Sequence, residues 1–317
     1  MRIFSGLLLF ILLLAGDAQI EVDPPSYEFS PQQIGTVSAE KFEITNQGDE
    51  EVTIHPNNIA ISTEESESTN LSVMTFNIWF DNENWPDRFN LILKQIREIN
   101  PDIIGLQEVI QRADLDNQAK QLADSLGYHY YFDSVDEEGN DKRFGNAIVS
   151  RHPIEETNFR ALEPLDAYRK AVHARVDVNG NSVDVYTTHL HNPGDANQTR
   201  KDQINDMQDF IEETSNGELI FVTGDFNANP DWEEMELMYD HYIDVYPLFH
   251  ENHLDPEHST LNYHLGHSRR RIDYVFIHRE NRADLKLLSA EIVLNEPNEK
   301  GVYPSDHFAV IGEFEVQ

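Results

Sequence analysis

The 317-residue sequence contains no cysteine. This absence excludes disulfide bonds, thiolate chemistry, cysteine-ligated metal sites and a lipid-modified cysteine anchor. An exported protein without disulfides is more typical of a bacterium than of a eukaryote, so the sequence indicates a bacterial host. Basic residues are also scarce: 23 Lys and Arg stand against 58 Asp and Glu, which gives a formal net charge of −35.

This acidic excess has two interpretations. A field of that sign repels DNA, RNA and anionic membranes at long range, which argues against a polyanionic substrate. Alternatively, the acidic surface suits a saline medium, in which screening shortens the reach of each charge to a few ångström. We favour the second interpretation because the acidic residues are spread along the whole chain.

Long apolar runs are absent as well. The longest, Leu7–Ala15, is far shorter than the roughly 20 residues of a membrane-spanning helix. It follows Arg2 and precedes the small-x-small sequence Gly16-Asp17-Ala18, an arrangement typical of a secretory signal peptide. We therefore predict that residues 1–18 are a signal peptide, that no transmembrane anchor is present, and that the protein is secreted or periplasmic.

The rest of the chain divides into three parts by composition. Residues 21–61 form a short β-rich segment that resembles the opening strands of an immunoglobulin-like module, although about 40 residues are too few for a closed sandwich. Residues 62–70, STEESESTN, lack large apolar side chains and are typical of a linker. From residue 71 to 317, strand patterns alternate with helical ones.

These patterns predict the elements of one α/β domain. Strands are expected at 71–79, 102–109, 128–132, 145–150, 219–222, 271–278, 286–294 and 307–316, with a hairpin at 171–190 and helices at 86–100, 114–126 and 199–214. The mixture of a hairpin with helical crossovers indicates two sheets packed face to face, with helices outside.

Polar residues interrupt six of these strands at or near an end. They are Asn77, Glu108, His189, Asp225 with Asn227, Asp273, and Asp306 with His307. A single residue of this kind is more often a turn or a solvated cap. In a sheet-based α/β domain, however, ligands bind where strand ends meet on one side. Because six strands share the feature, we predict that these residues form one active site.

The same strands carry an ordered series of motifs. The series is FNIW, LQEV, GNAIVS, THL, GDFN, RIDYVF and SDH. In this order the motifs resemble the endonuclease/exonuclease/phosphatase superfamily, which includes DNase I, AP endonucleases, neutral sphingomyelinases and inositol-polyphosphate phosphatases. The resemblance extends from about Leu71 to Gln317. It implies a four-layer αββα sandwich that hydrolyses phosphate esters with a divalent metal, usually Mg²⁺, with Mn²⁺ as an alternative.

The resemblance also implies a role for each residue of the series. Glu108, with Asn77 and Asp306, would bind the metal. Asp225 would orient and deprotonate the attacking water, and Asn227 would donate to a phosphate oxygen.

His189 and His307 would hold the phosphoryl oxygens and stabilise the charge of the transition state. Asp273 would fix the tautomer of His307. The choice of general base between Asp225 and the histidines stays open.

Three further residues are candidates for substrate binding. Asn146 in GNAIVS matches a polar position near the phosphate in some relatives. His191 lies on the same strand face as His189, although a surface histidine after a strand is an equal interpretation. Arg271 is able to contact phosphate, but an ion pair is the more frequent role of an arginine in an acidic protein.

The predicted function is hydrolysis of a phosphodiester by activated water. A DNA or RNA nuclease is the first alternative, but it needs a basic groove, and only 142–143 and 269–271 are basic clusters. A sphingomyelinase-like lipid head-group phosphodiesterase needs an apolar hairpin, and an inositol-phosphate phosphatase needs several basic residues. Degenerate motifs would favour a non-catalytic binding module, and here the motifs are intact. No feature indicates an obligate protein partner.

Overall fold

The chain, as a computed structural model, divides into two compact units, Met1–Ser68 and Thr69–Gln317, and residues 69–192, 196–215, 219–283 and 285–316 are described. In the first unit the description is limited to the backbone of short strands. They are Ile3–Phe4, Leu7–Ile11, Ile20–Asp23, Ser26–Phe29, Gln32–Gln33, Glu43–Asn46 and Ile59–Thr63. The predicted signal peptide (1–18), β-rich segment (21–61) and most of the linker (62–70) belong to this unit, whose side chains lie outside the described residues. These assignments stay predictions.

The second unit contains twelve strands and four α-helices among its described residues. The strands are β1 (Thr69–Asn77), β2 (Ile103–Arg112), β3 (His129–Ser134), β4 (Lys142–Ser150), β5 (Ile154–Leu162), β6 (Arg169–Val178), β7 (Asn181–His189), β8 (Leu219–Asp225), β9 (Tyr242–Asp244), β10 (Asp273–His278), β11 (Leu285–Val293) and β12 (Ala309–Val316). The helices are α1 (Trp85–Ile99), α2 (Gln118–Leu126), α3 (Asn197–Thr214) and α4 (Glu236–His241). No helix of the described part is both long and apolar enough to span a membrane.

The strands form two six-stranded mixed sheets. The first has the order β3-β4-β2-β1-β12-β11 and the second the order β5-β6-β7-β8-β10-β9. Each sheet has one parallel pair at its centre, β1 with β2 and β7 with β8. The crossover of each pair contains a helix, α1 or α3, whereas the other neighbours pair antiparallel. This arrangement brings the carboxyl ends of four central strands to one edge of the sandwich.

Three apolar clusters define four layers. One cluster fills the space between the sheets, with Val73, Val185, Phe221 and Phe314 among its members. A second joins α1 and α2 to the outer face of the first sheet, and a third joins α3 and α4 to the outer face of the second. The predicted αββα sandwich is therefore confirmed.

Local sequence signals explain the elements that position the polar residues at the strand ends. Helix α1 begins after Asn84, whose side chain accepts a hydrogen bond from the Asp87 N–H, and ends at Asn100, which adopts a left-handed φ of 58°. The predicted hairpin is present as β6 and β7, with Val178 opposite Asn181. Its two turn residues both have positive φ, as a tight primed turn requires.

The structure differs from the sequence-based elements in two respects. Helix α2 begins at Gln118, after the cap residue Asn117, and not at 114. Strands β5 and β9 and helix α4 were not predicted. Both strands lie at an edge of the second sheet, where one side has no partner strand among the described residues, and β5 shows only a weak alternation of apolar and polar residues.

The two sheets approach each other closely at Gly105 of β2. A Cβ atom at this position would lie 2.1 Å from Thr223 Oγ1 and 2.8 Å from Thr187 Oγ1. Thr223 and Thr187 belong to β8 and β7, the parallel pair of the opposite sheet. Glycine is thus required for the sheets to meet beside the strand ends that carry the polar residues.

Gly105→Ala should lower the free energy of unfolding by about 1–3 kcal/mol through overpacking. Equilibrium urea unfolding measures this change. The Thr223→Ala background removes the nearest obstructing atom, so the same glycine substitution should cost less there. An equal cost in both backgrounds would show that the contact with Thr223 is not the cause.

Candidate active site

The polar residues at the strand ends come together across the two sheets. Asn77, at the end of β1, donates from Nδ2 to Oδ2 of Asp225, at the end of β8, over 3.1 Å. The Asn77 amide oxygen accepts the Trp79 N–H at 3.0 Å, which fixes the orientation of the side chain. Ser305 donates to the Asn77 carbonyl oxygen at 2.7 Å and thereby joins the segment before β12 to the end of β1.

Glu108 reaches this cluster through a β-bulge. One residue of β4, Asn146, faces two residues of β2, Gln107 and Glu108. Glu108 has φ 58°, a left-handed conformation that costs a non-glycine residue about 1–3 kcal/mol. Bulges of this kind change the direction of a side chain and are frequent beside active sites. The strain at Glu108 is therefore consistent with a functional requirement for its position.

Asp225 and Asn227 form a tight turn after β8. The Asp225 carboxylate is almost fully buried and accepts the Asn227 N–H on Oδ1 at 2.9 Å. Asn227 has φ 52° and donates one amide hydrogen to the Leu190 carbonyl at 3.1 Å, which leaves its second amide hydrogen for another acceptor. Both oxygens of Asp225 are thus held by neutral donors.

Two histidines flank Asp225. His189 Nε2 lies 3.5 Å and His307 Nε2 lies 3.8 Å from Asp225 Oδ2. His307 Nδ1 contacts both carboxylate oxygens of Asp273, at 3.0 and 3.2 Å. Asp273 is fully buried, and its backbone N–H donates to the Thr260 hydroxyl at 3.2 Å.

The two histidines have opposite charge preferences. Burial, with the nearby charge of Arg169, lowers the pKa of His189 to about 3, so its imidazole is neutral at neutral pH. Burial also lowers the pKa of His307, but the carboxylates of Asp273 and Asp225 outweigh this effect and the net pKa is well above the ordinary value. Asp225 therefore lies between a neutral imidazole and an imidazolium.

The carboxyl groups of the cluster also differ in how readily each is ionised. Burial raises the pKa of Glu108 to about 7, and the neighbouring Asp306 and Asp225 add to this effect. Burial also raises the pKa of Asp273, to about 6. For Asp225 the opposing effects of His189, His307 and the Asn227 N–H exceed that of burial, and its pKa lies below the usual value. Asp225 is thus the carboxylate that stays ionised most readily.

The acidic side of the cluster fits a hard divalent cation. Among the described residues, Glu108 and Asp306 have only histidines as ion-pair partners, at 4.0 Å from His189 and 3.7 Å from His267. Burial raises the pKa of the Asp306 carboxyl too. Two carboxylates and the Asn77 amide oxygen, with no ion-pairing arginine or lysine among the described residues, are the oxygen donors that Mg²⁺ prefers.

A second acid-and-histidine group is less suited to a metal. Asp225, Asp273 and His307 place ligand-type atoms within 4.8 Å of one another. However, His307 Nδ1 already contacts Asp273, and both Asp225 oxygens accept hydrogen bonds. Most of their polar atoms are thus used within the protein, and His307 Nε2, 3.8 Å from Asp225 Oδ2, stays available as a donor.

The three predicted substrate contacts have different positions. Asn146 is buried, donates to the Lys170 carbonyl at 2.7 Å and lines a small cavity together with His189. His191 is partly buried beside Arg169, whose charge contributes to lowering the pKa of this histidine after the larger effect of burial.

Arg271 forms an ion pair, the more frequent role of an arginine in an acidic protein, and its contact with substrate stays a prediction. Its guanidinium is buried, donates to Asp244 Oδ2 at 2.7 Å and lies over the rings of Tyr246 and Tyr274. The preceding residue, Arg270, points the other way, because successive side chains of an extended segment alternate, and it donates to the Asn227 carbonyl at 2.9 Å.

Sequence reasoning also missed Arg88, a fully buried residue of α1. Its guanidinium donates to the carbonyl oxygens of Ile78, Trp79, Phe80, Asn82 and Pro304. It therefore connects the segment after Asn77 to the segment before Asp306. Arg88 occupies the apolar stripe of the helix, four residues before Ile92, and a charge on such a stripe is the signal that could have identified it.

Arg169, at the start of β6, was missed as well. It lines the same cavity as His189 and Asn146. The hairpin register contains the signal, because Ala171 pairs with Thr188, and extension by two residues places Arg169 opposite Leu190, next to His189.

Comparison with known proteins identifies the family of this chain. A sequence profile described as the Endonuclease/Exonuclease/phosphatase family matches residues 74–307. The chain belongs to this family. A protein of Caenorhabditis elegans named a putative neutral sphingomyelinase is 25% identical over 296 residues, which cover 78% of this chain and 67% of that protein.

Solved structures of the family share the fold. The human Nocturnin catalytic domain with bound sulfate anion has a TM-score of 0.63 at 24% identity, covering 78% of this chain and 94% of that one. A family protein from Bacteroides thetaiotaomicron has a TM-score of 0.64 at 21% identity, covering 79% and 99%. At these identities the likeness supports the architecture alone.

Arg88→Met should reduce the free energy of unfolding by at least about 3 kcal/mol, because several buried carbonyls lose their donor at about 1–3 kcal/mol each. Arg97→Met, an exposed position on the same helix, should change it by no more than about 0.5 kcal/mol. Urea unfolding of both variants makes the comparison. Equal effects would contradict the role of Arg88 in joining the two segments.

Proposed function

We propose that this protein is a divalent-metal-dependent phosphodiesterase. The observation that carries the proposal is the Asp225 carboxylate, which Asn77 and Asn227 orient between the neutral His189 and the cationic His307. An ionised carboxylate beside an imidazolium provides a base for water and a donor for a phosphoryl oxygen in one site. Membership in the family supports the same reaction class.

In this mechanism Asp225 accepts a proton from the attacking water. The fixed orientation of the Asp225 carboxylate determines the direction from which this water attacks. His307 donates to a phosphoryl oxygen and, as a cation, stabilises the negative charge that develops there. Asp273 keeps His307 charged and holds its ring in place. The free amide hydrogen of Asn227 provides a second donor to phosphate.

Glu108, Asn77 and Asp306 are the residues that would hold the metal. When bound, a divalent cation neutralises phosphoryl oxygens and lowers the pKa of a coordinated water. The three side chains would also keep this ion beside Asp225, because Asn77 donates directly to its carboxylate. Mg²⁺ is the first candidate and Mn²⁺ the second. The signal-peptide pattern of residues 1–18 supports export of the enzyme.

The substrate class is part of the proposal. Beyond the general assignment to a phosphodiester, a lipid head-group phosphodiester is a second, more specific candidate. The connection between β5 and β6 favours it. Leu165 and Tyr168 in this connection are 59% and 69% exposed, and they precede Arg169 of the active-site cavity. Exposed apolar side chains of this kind suit a lipid surface. The name of the Caenorhabditis elegans relative points in the same direction, whereas the net charge of −35 opposes a nucleic acid at low salt.

Asp225→Asn should lower turnover of bis(p-nitrophenyl) phosphate by about 10²–10³-fold or more, because the amide keeps the shape but cannot accept the proton. The assay should also include sphingomyelin, plasmid DNA and RNA over a salt series, with His189→Ala as a second variant. Asp209→Asn, exposed on α3, is the matched control and should retain activity. Undiminished turnover by a folded Asp225→Asn protein, verified by circular dichroism, would rule out this mechanism.

Removal of divalent metal with EDTA should abolish activity, and Mg²⁺ or Mn²⁺ should restore it. Glu108→Gln should raise the Mg²⁺ concentration for half-maximal activity by at least about tenfold, since even outer contacts of a metal site have effects of that size. Titration of activity against Mg²⁺ measures both effects. Activity that persists in EDTA would contradict the assigned role of Glu108.

A further inference from the structure

Leu190, the residue after β7, is bonded to the turn 225–227 through both of its backbone polar groups. Its N–H donates to the Asp225 carbonyl oxygen at 2.9 Å, and its carbonyl oxygen accepts a hydrogen bond from Asn227 Nδ2 at 3.1 Å. The Asn227 amide group is planar, so the bond to Leu190 also fixes the direction of the second Asn227 amide hydrogen. A displaced Leu190 carbonyl would therefore turn the group that is proposed to donate to phosphate.

His191, the next residue, is bonded to helix α3 in the same complete manner. Its N–H donates to Gln203 Oε1 at 2.9 Å, and its carbonyl oxygen accepts a hydrogen bond from Arg200 Nη1 at 3.0 Å. Both side chains are fully buried, and they share one face of α3 because they lie three residues apart. The segment 190–191 thus has two bonds to the turn 225–227 and two bonds to α3.

Arg200 is itself fixed by residues that follow this turn. Its Nε donates to Oε1 of Glu234, another buried side chain, at 2.7 Å, and its guanidinium lies 5.3 Å from the ring centroid of Trp232. Arg270 lies 4.7 Å from the same centroid and donates to the Asn227 carbonyl oxygen at 2.9 Å. These contacts close a ring of interactions that begins and ends at Asn227.

Stability alone is a weak reason for a buried pair of Arg200 and Glu234. Apolar residues of similar volume frequently replace a buried ion pair without loss of stability. They cannot, however, donate to the His191 carbonyl oxygen, and an apolar residue in place of Gln203 cannot accept the His191 N–H. The two polar side chains of α3 therefore determine where the backbone of His191 lies.

We propose that Arg200 and Gln203 are positioning residues for the hydrolysis, which orient the Asn227 amide through the segment 190–191. The inference rests on the proposed phosphodiesterase function. Neither side chain contacts the substrate in this role, because both are buried and bonded within the protein. They act on the transition state, since a donor is most effective where negative charge develops.

Gln203→Met and Arg200→Met should each lower kcat for bis(p-nitrophenyl) phosphate about 10- to 100-fold, the effect of a displacement of about 1 Å. The Mg²⁺ concentration for half-maximal activity should stay that of the wild type, because Asn77, Glu108 and Asp306 come from the first sheet. Steady-state kinetics at several Mg²⁺ concentrations measure both quantities. A wild-type kcat in the folded variants would refute the inference.

Helix α3 offers a matched control for each variant. Gln208→Met removes a glutamine that donates to the Leu237 carbonyl oxygen at 2.7 Å, and Lys201→Met removes a cation that pairs with Glu233 at 2.6 Å. Neither contact involves the segment 190–191 or the turn 225–227. Both controls should keep the wild-type kcat.

The double variant Arg200→Met/Glu234→Met separates positioning from stability. Removal of both charges should return the midpoint of urea unfolding toward the wild-type value, because no unpaired buried charge is left. The kcat should stay at the level of Arg200→Met, because the His191 carbonyl oxygen still lacks its donor. Recovery of kcat together with the unfolding midpoint would show that Arg200 serves stability alone.

A measurement without turnover distinguishes this inference from the proposed function. The ¹H–¹⁵N NMR signals of the Asn227 side-chain amide, assigned by their loss in Asn227→Ala, should shift in Gln203→Met and not in Gln208→Met. If they shift but the wild type hydrolyses no diester, the positioning role is supported and the proposed function fails. If the wild type is active and the signals do not shift, the function stands and the positioning role is refuted.

Discussion

The buried guanidinium of Arg88 is the interaction on which the geometry of the site depends. It binds four carbonyls that follow β1 and one that precedes His307, so two segments more than 200 residues apart in the chain share one donor group. Burial lowers the pKa of Arg88 to about 10, which still leaves it charged at neutral pH. Ser305 strengthens the same connection by its bond to the Asn77 carbonyl. Arg88 thus supports both Asn77 and Asp306, which are candidate metal ligands, and the imidazolium of His307.

Much of the fold follows from the sequence, and most residues of the polar cluster at the strand ends were named from it, whereas their catalytic roles stay predictions. The apolar strand and helix patterns are local signals, and polar residues at the ends of buried strands are conspicuous for the same reason. Arg271 shows the limit of this reasoning. The side chains of three successive arginines alternate in direction. The sequence does not reveal which of them lies next to Asp244, and the structure shows that it is Arg271. Arg169 was accessible in principle, because the Asn179-Gly180 turn determines which residue of β6 lies opposite Leu190.

The charges of the site are arranged in two regions. Glu108 and Asp306 form an acidic region, and burial raises the pKa of both carboxyl groups. A nearby cation stabilises the ionised form of such groups. Around Asp225 the region is mixed, since His307 is positive and Asn227 supplies an amide. Arg169 extends the positive character toward the cavity. In a chain of net charge −35, this local positive charge would favour the approach of the anionic ester that the proposed function requires.

The candidate active site is divided between the two sheets. Asn77, Glu108 and the Asp306-His307 pair come from the first, while His189, Asp225 and Asp273 come from the second. Neither sheet carries all of these residues, so the catalytic rate also depends on how the two sheets are positioned relative to each other. A displacement of about 1 Å in the apolar layer between them, far from any substrate, would separate donors from acceptors. Enzymatic activity would then disappear while both sheets kept their strands.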